Sequence, residues 1–591
     1  MIKTRFLLLF FPALLSGAEY FCSPSGNDAA AGTRNEPLKT LAAAVGKARR
    51  GDVVTLLPGE YQEKIEIKAD GITLRGTRGK SGEYLSLIAP AKTLVGWTAE
   101  PAIADGMWSA PLKEAPGCVT VNGRQIILVG KRLMKFPPKN MRPDNLLGKH
   151  IGPHKVGSRK DWMKKMIPGL DLLALPKTVR FRSTKSEPPV DLWTVAGGMM
   201  TGWRNGRLYL RLIDGRKPDG LVVRAGGSSA IEICDRSDIV IEDLQIGTCR
   251  VGVVIRGEKA KNNTVRRCRI EHGVARISVT DGASDNRILD NVLSLGYIRP
   301  EFHSSSWSYS NAMYLIYKYI VSNRENSDDH SLVFHNSGPG NLVEGNLIFQ
   351  GLVGNAGDYS RGVVIRNNVV REMSSVGIVL HKGSNMEVCG NVLIHNRISV
   401  RIHMFHKVPE GRNCFVHDNI LRGGMQLFVL CMTDHPESPE NIWFYHNTVI
   451  GSSYFMPAPK MDRTYKGKPQ PISLVNNLLV MDPKSKFVAP ALRLVAGNAD
   501  VRKCSNLKKW GKDNSFQVGT EGTAPFLKVK STPELLAKSV NLQKPEGIIP
   551  ELPGMKDHSP LPGAVWDPKI VELVRRSEQL SNEAINAGKS K

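Results

Sequence analysis

The chain of 591 residues has no later run of 18 apolar residues, no Cys-x-x-Cys pair, few aromatics and a shortage of acids. Without a long apolar run, no mature segment reads as a membrane-spanning helix. Without Cys-x-x-Cys or close Cys/His spacing, no sequence-local zinc motif is present. The nine cysteines (Cys22, Cys118, Cys234, Cys249, Cys268, Cys389, Cys414, Cys431 and Cys504) are odd in number and their spacing assigns no disulfide. Several fall in apolar segments and read as buried thiols. Acids number 55 against 80 Lys and Arg, a net charge of +25. That balance points to an anionic partner: nucleic acid, acidic lipid or acidic polysaccharide. With 41 % hydrophobic and 23 % charged residues, the composition is globular rather than disordered or collagen-like. The length exceeds what one compact core supports, leaving several domains or an elongated solenoid.

The N-terminus narrows the partner. Lys3 and Arg5 precede an apolar stretch of ten from Phe6 to Leu15, followed by Ser16-Gly17-Ala18. This is the pattern of a cleavable signal peptide over residues 1–18, predicting a secreted or periplasmic protein. No Cys directly follows the small residues, which argues against a lipoprotein. Export disfavours nucleic acid and favours an acidic polysaccharide as partner, with the protein expected to be a monomer.

From residue 239 onward a phrase recurs: a polar turn, alternating apolar residues, an Asn or small residue, then an apolar pair. Its aligned positions are Leu244, Cys268, Asn291, Asn346, Asn368, Asn391, Asn419, Asn447 and Asn477. Apart from one gap of 55, the intervals run from 22 to 30 residues. Such a repeat is too short for a strand–helix–strand unit of about 30 residues or more. Each coil must therefore hold several short strands and return to the same angular position, stacking equal residues about 4.8 Å apart. Asn tolerates left-handed turns, and stacked Asn amides hydrogen-bond along a column. The expected fold is all-β: a right-handed parallel β-helix with short capping helices and an inserted antiparallel β subdomain.

The segments SPSGNDAAAGT and EPLKTLAAAVGKARRGDVVTLLPGEY, within residues 20–61, resemble the start of secreted right-handed β-helix proteins of the pectate-lyase-like superfamily. The likeness covers residues 20–95 and 226–480. It implies the fold strongly and the reaction weakly, because that superfamily spans lyases, hydrolases, epimerases and proteins without activity. It also allows calcium as a cofactor, although nothing in the residues names a metal.

Along the chain, Thr40–Arg50 reads as a short amphipathic helix closing the solenoid's N-terminal end, and residues 19–95 as cap and first coils. Residues 96–225 break the repeat and read as the inserted subdomain. Within it, residues 131–185 hold 15 Lys and Arg against 3 acids, either a solvated face or a wall that captures a polyanion. Residues 226–480 form the main helix. Residues 481–591 form a C-terminal cap and tail, with an amphipathic helix over 568–584.

Candidate chemistry gathers at two places. The 55-residue interval carries about 33 extra residues, 297–329, with seven aromatics, among them Trp307, Tyr309 and Tyr314. Aromatic faces stack on sugar rings. Beside it, strand alternation aligns Arg256, Thr280, His335, His381 and the pair Arg401 and His403 on one outward column of five steps, about 24 Å. Ile255, Val279, Phe334, Leu380 and Ile402 should point inward. Such a column suits β-elimination on a uronate, with His381 or His403 as base, Arg401 as carboxylate clamp and Lys382 as second cation. A glycoside hydrolase would instead pair carboxyls, drawn from Asp328, Asp329 and Asp358, the last falling at the column position of the intervening coil. A glycan-binding protein without turnover would keep groove and charge and need no base.

Overall fold

The computed structural model describes residues 17–129, 198–294, 330–381, 383–404 and 413–422. It also describes residues 142–143, 180–182, 190–191, 426–432, 441–450, 454–461, 472–475, 478–481, 515–518 and 569–589. Residues 1–16 of the expected signal segment (residues 1–18), most of the basic stretch 131–185 and the aromatic insertion 297–329 lie outside the described residues.

The chain winds as a right-handed parallel β-helix, because nearly every repeat strand pairs in register with the strand one coil away. One face is a 12-stranded parallel sheet running from Glu19–Cys22 to Ile472–Val475. The other two faces are rows of one 20-stranded sheet, joined where the long strands Leu347–Asp358 and Val369–His381 bend from one row into the next. One row stacks Ile65–Ile67, Ser229–Cys234, Val251–Arg256, Ala275–Thr280, His330–His335 and the later strands Ile398–Met404 and Gln426–Met432; this is the groove face. Alternation sends Ile255, Val279, Phe334, Leu380 and Ile402 into the interior, all 0 % exposed. The interior is thus a stack of apolar residues extended along the solenoid axis, which is how this length avoids an oversized globular core.

The aligned asparagines form a buried ladder. Asn291, Asn346, Asn368, Asn391 and Asn419 each donate from the backbone N–H and from Nδ2 to Oδ1 of the next member, ending on Asn447, at 2.9–3.0 Å. A second ladder, Asn263–Asn286–Asn341, repeats the arrangement at a neighbouring corner. Both satisfy backbone amides at turns that have left the strand ladder, where an unpaired buried N–H would be costly. The residue just before each main-ladder Asn takes positive φ, as at Asp290, Gly345, Asn367, Gly390, Asp418 and His446. Asp and Asn adopt that region readily.

Three elements cover the solenoid. The N-terminal helix forms over Leu41–Lys47, capped by Thr40, whose Oγ1 accepts from the Ala43 N–H at 3.1 Å, and it buries Leu41, Ala44 and Val45. It stops short of the expected Arg50. Ala48 turns extended, and Asp52 Oδ2 accepts from the Arg49 N–H at 2.7 Å, so a turn through Gly51 (φ 93°) replaces the last helical residues. The inserted subdomain holds three small, mainly antiparallel sheets, two of which share a core of Val119, Val121, Leu208 and Leu210. Its pairings begin at Ala91 and close at Gly226. Asn122-Gly123 and Asn205-Gly206 take positive φ at both positions, the hairpin turn those dipeptides favour.

The C-terminal helix spans Lys569–Lys589, five residues beyond the expected end. Ile570 and Val574 pack on an apolar column, Val292, Leu347, Val369, Val392 and Ile420, each immediately after a ladder Asn. Arg371, buried and paired with Glu372 at 3.0 Å, donates to Ser577 Oγ at 3.0 Å and ties the helix down. This row of the sheet is therefore covered, while the Arg256–His335 part of the adjacent row ends in exposed side chains.

Candidate functional site

Strand register sets the geometry of the groove face. Arg256 pairs with Thr280, Thr280 with His335, His335 with Asp358, Asp358 with His381, and His381 with His403. Six coils thus bring these residues to one register position, spanning five steps or about 24 Å. Arg401 stands two residues before His403, in the neighbouring register column opposite Val379. His403 in turn faces Cys431, and Arg256 faces Cys234.

The side chains described along this column form a mixed polar and aromatic strip. Arg256 is exposed and its Nε donates to Cys234 Sγ at 3.1 Å. Thr280 Oγ1 donates to Asp281 Oδ2 at 3.2 Å. The exposed His335 ring meets Tyr359 edge to face, with centroids 5.9 Å apart and planes at 87°. Tyr359 is 38 % exposed, one of few large apolar side chains so presented among the described residues. It follows Asp358 with φ 54°, a conformation costly for a bulky residue. Sequence patterning missed Tyr359, since it sits in a turn just past the strand; its signal was an aromatic directly after a column residue. Arg401 is half-buried, and its Nε, shielded from solvent, has no hydrogen-bond partner among the described residues. A guanidinium N–H left in that state favours an anionic acceptor.

Asp358, His381 and His403 are located by backbone register. Lys382, Asp328, Asp329, Trp307, Tyr309 and Tyr314 lie outside the described residues. In sequence, the aromatic insertion lies between the strands Val292–Ser294 and His330–His335. It therefore connects into the groove-face strand that carries His335.

Acids on the two groove columns are sparse. Glu66 and Glu232 share the Arg401 column at its N-terminal end. Glu232 stands four coils, roughly 19 Å, from the Asp358 coil. Paired carboxyls of glycosidases lie about 5–9.5 Å apart, so these glutamates make no such pair with Asp358.

The 12-stranded face, by contrast, spends its charges on one another. Glu242, 1 % exposed, accepts from Arg75 at 2.6 Å, from Arg266 at 2.8 Å and from Arg267 at 2.8 Å. Arg366 chelates Glu344 with two bonds of 2.9 Å. Burial alone would raise the Glu242 carboxyl, but the hydrogen bonds from Arg75 and Arg266 outweigh it and hold the group below its ordinary 4.5. A folded-state value below the unfolded one makes this contribution full above about pH 5 and lost as pH falls through the depressed value. Glu242→Gln is therefore expected to shrink the drop in Tm between about pH 6 and pH 3 relative to wild type. Equal drops by scanning calorimetry would mean the arginine cluster is neutral to folding.

Residues 24–83 match a family described as a protein of unknown function, DUF1565. No curated protein matches the sequence. Among solved structures, a complex of XylC with xylose aligns over 78 % of this chain and 83 % of that one, at 11 % identity and a TM-score of 0.40. A glycoside hydrolase aligns over 77 % and 94 %, at 11 % identity and 0.38. The pectate lyase Pel9A aligns over 78 % and 76 %, at 10 % identity and 0.33. The strand pairings of this chain by themselves establish the parallel β-helix.

Proposed function

We propose that the protein is an exported enzyme that cleaves an acidic, uronate-containing polysaccharide by β-elimination in the groove of the Arg256–His403 column. The observation that carries the reading is the register that aligns three histidines, Arg256 and Asp358 over six coils, with Arg401 beside the last. The net charge of +25 supports an anionic chain as substrate, and about 24 Å accommodates several sugar units.

The step needs no oxidant. A neutral imidazole of His381 or His403 takes the proton at C5 of the uronate. The C5–H electron pair becomes the C4–C5 double bond, the C4–O bond breaks with its electrons, and the leaving oxygen takes up a proton. Arg401, with Lys382 as second cation, neutralises the carboxylate so that charge accumulating on it is stabilised in the transition state. Arg256, His335 and Tyr359 would hold flanking sugars, with Trp307, Tyr309 and Tyr314 stacking from the insertion. Hydrolysis is the second reading, favoured by Asp358 between His335 and His381. It would draw its other carboxyl from Asp328 or Asp329.

Incubation with a panel of uronate and sulfated polysaccharides tests this, reading new reducing ends together with unsaturated-sugar absorbance, with and without calcium and a chelator. Both signals rising are expected. Reducing ends without absorbance would replace elimination by hydrolysis. Neither signal, with salt-sensitive retention on one glycan, would leave a binding protein.

A further inference from the structure

On the 12-stranded face, away from the groove columns, three residues with metal-binding side chains converge. Glu387 and Cys389 lie two residues apart on the strand Met386–Cys389, and His417 pairs with Cys389 from the strand Asn413–His417 one coil on. The Cys389 Sγ, a His417 ring nitrogen and a Glu387 carboxylate oxygen all lie within 4.8 Å of one another. His417 Nε2 stands 3.0 Å from Glu387 Oε1.

The surroundings fix the imidazole in the orientation a ligand needs. His417 Nδ1 stands 2.7 Å from Asp418 Oδ2, and Asp418 is 6 % exposed. The ring stacks on Tyr445, centroids 4.6 Å apart and planes at 11°. A carboxylate on one nitrogen holds the tautomer that presents the other to a metal. Arg366, in register with Cys389, is already committed to Glu344 and leaves Glu387 to the cluster. Glu387 retains 28 % side-chain exposure, so solvent and ions reach the site.

We infer that Glu387, Cys389 and His417 bind one divalent ion of the zinc type, with Asp418 orienting His417 and a fourth position open to solvent. Thiolate, imidazole and carboxylate together suit a borderline-soft ion and disfavour calcium, which takes oxygen ligands. Bonds of about 2.0–2.3 Å would set the ligand atoms roughly 3.3–3.8 Å apart. The His417–Glu387 separation of 3.0 Å would open slightly and the others, none above 4.8 Å, would close by at most about 1.5 Å, within reach of a partly exposed Glu side chain. The inference is independent of the groove's activity.

Full-length protein stripped with a chelator and titrated with cobalt(II) provides the test. One equivalent should bind and produce a thiolate-to-cobalt charge-transfer band, displaced by one equivalent of zinc. Cys389→Ser should abolish the band, while Cys234→Ser, altering the other half-buried thiol among the described residues, should retain it. Asp418→Asn keeps a residue that tolerates φ 54° and should weaken binding about 10–100-fold. No band in a folded wild-type protein, or a band surviving Cys389→Ser, would overturn the assignment. Circular dichroism on each variant separates loss of binding from loss of fold.

Discussion

Arg401→Ala is expected to lower kcat/KM on the cleaved polysaccharide by about 10²–10³-fold, the cost of removing one stabiliser of developing charge. Most of the loss should fall in kcat, because the carboxylate carries more charge density as the C5 proton leaves than in the bound ground state. Arg401→Lys should recover part of it, since Lys keeps the charge and loses the two-pronged geometry. His381→Ala and His403→Ala separate the two candidate bases. The base should cost about 10²–10⁴-fold, and its variant should lose one limb of the pH–rate profile. The other histidine should alter KM alone. Full activity in Arg401→Ala and in both histidine variants would remove the column from the mechanism. Folding should be unaffected in each case, because the apolar residues beneath, Leu380 and Ile402, keep the coil packed.

The salt dependence of the same assay separates the column from the chain's general charge. Surface attraction of a polyanion weakens as the screening length falls from about 10 Å at 0.1 M salt to 3 Å at 1 M. KM should therefore rise with salt in every variant. The kcat defect of Arg401→Ala should persist at high salt, because a half-buried guanidinium acting at contact distance is screened much less.

Much of this architecture was legible because a solenoid writes its period into the sequence. The main-ladder asparagines mark one turn per coil, and counting back from them yields the register that joins Arg256, Thr280, His335 and His381; the longer coil of His403 aligns through its apolar Val400 and Ile402. The second ladder escaped notice although Asn263, Asn286 and Asn341 repeat the intervals of Cys268, Asn291 and Asn346 at a constant offset of five residues. The C-terminal helix was legible from its amphipathic pattern, but not its seat: the apolar residues after the ladder asparagines are covered by Ile570 and Val574, more than 140 residues further along the chain. The Glu387–Cys389–His417 cluster left no local signature. Its members come together only because one coil adds 28 residues, a spacing outside any contiguous metal motif. What remained illegible is therefore lateral contact between coils and covers, where sequence distance and spatial distance part.

Asn368→Ala is expected to destabilise the protein by about 3–5 kcal/mol, more than any exposed polar substitution should. Asn368 Oδ1 accepts from the Asn346 N–H at 2.9 Å and from Asn346 Nδ2 at 3.0 Å. Its own Nδ2 contacts Asn391 Oδ1 at 2.9 Å and the carbonyls of Val343 and Arg366 at 3.0 and 2.8 Å. Each lost bond is worth about 1 kcal/mol, and the orphaned Asn346 N–H, buried at 0 % exposure, adds a desolvation penalty of about 1–3. Asn368→Asp should not rescue, because it keeps the acceptor, loses the donor and places a charge in an apolar corner. Since each coil contacts only its neighbours, the damage should open the solenoid at this coil first. Urea unfolding followed by circular dichroism and by protease sensitivity should show the coils around residue 368 yielding before those around residue 268. A loss below about 1 kcal/mol, within the range of ordinary surface changes, would mean the strand ladders hold the coils without the asparagine column.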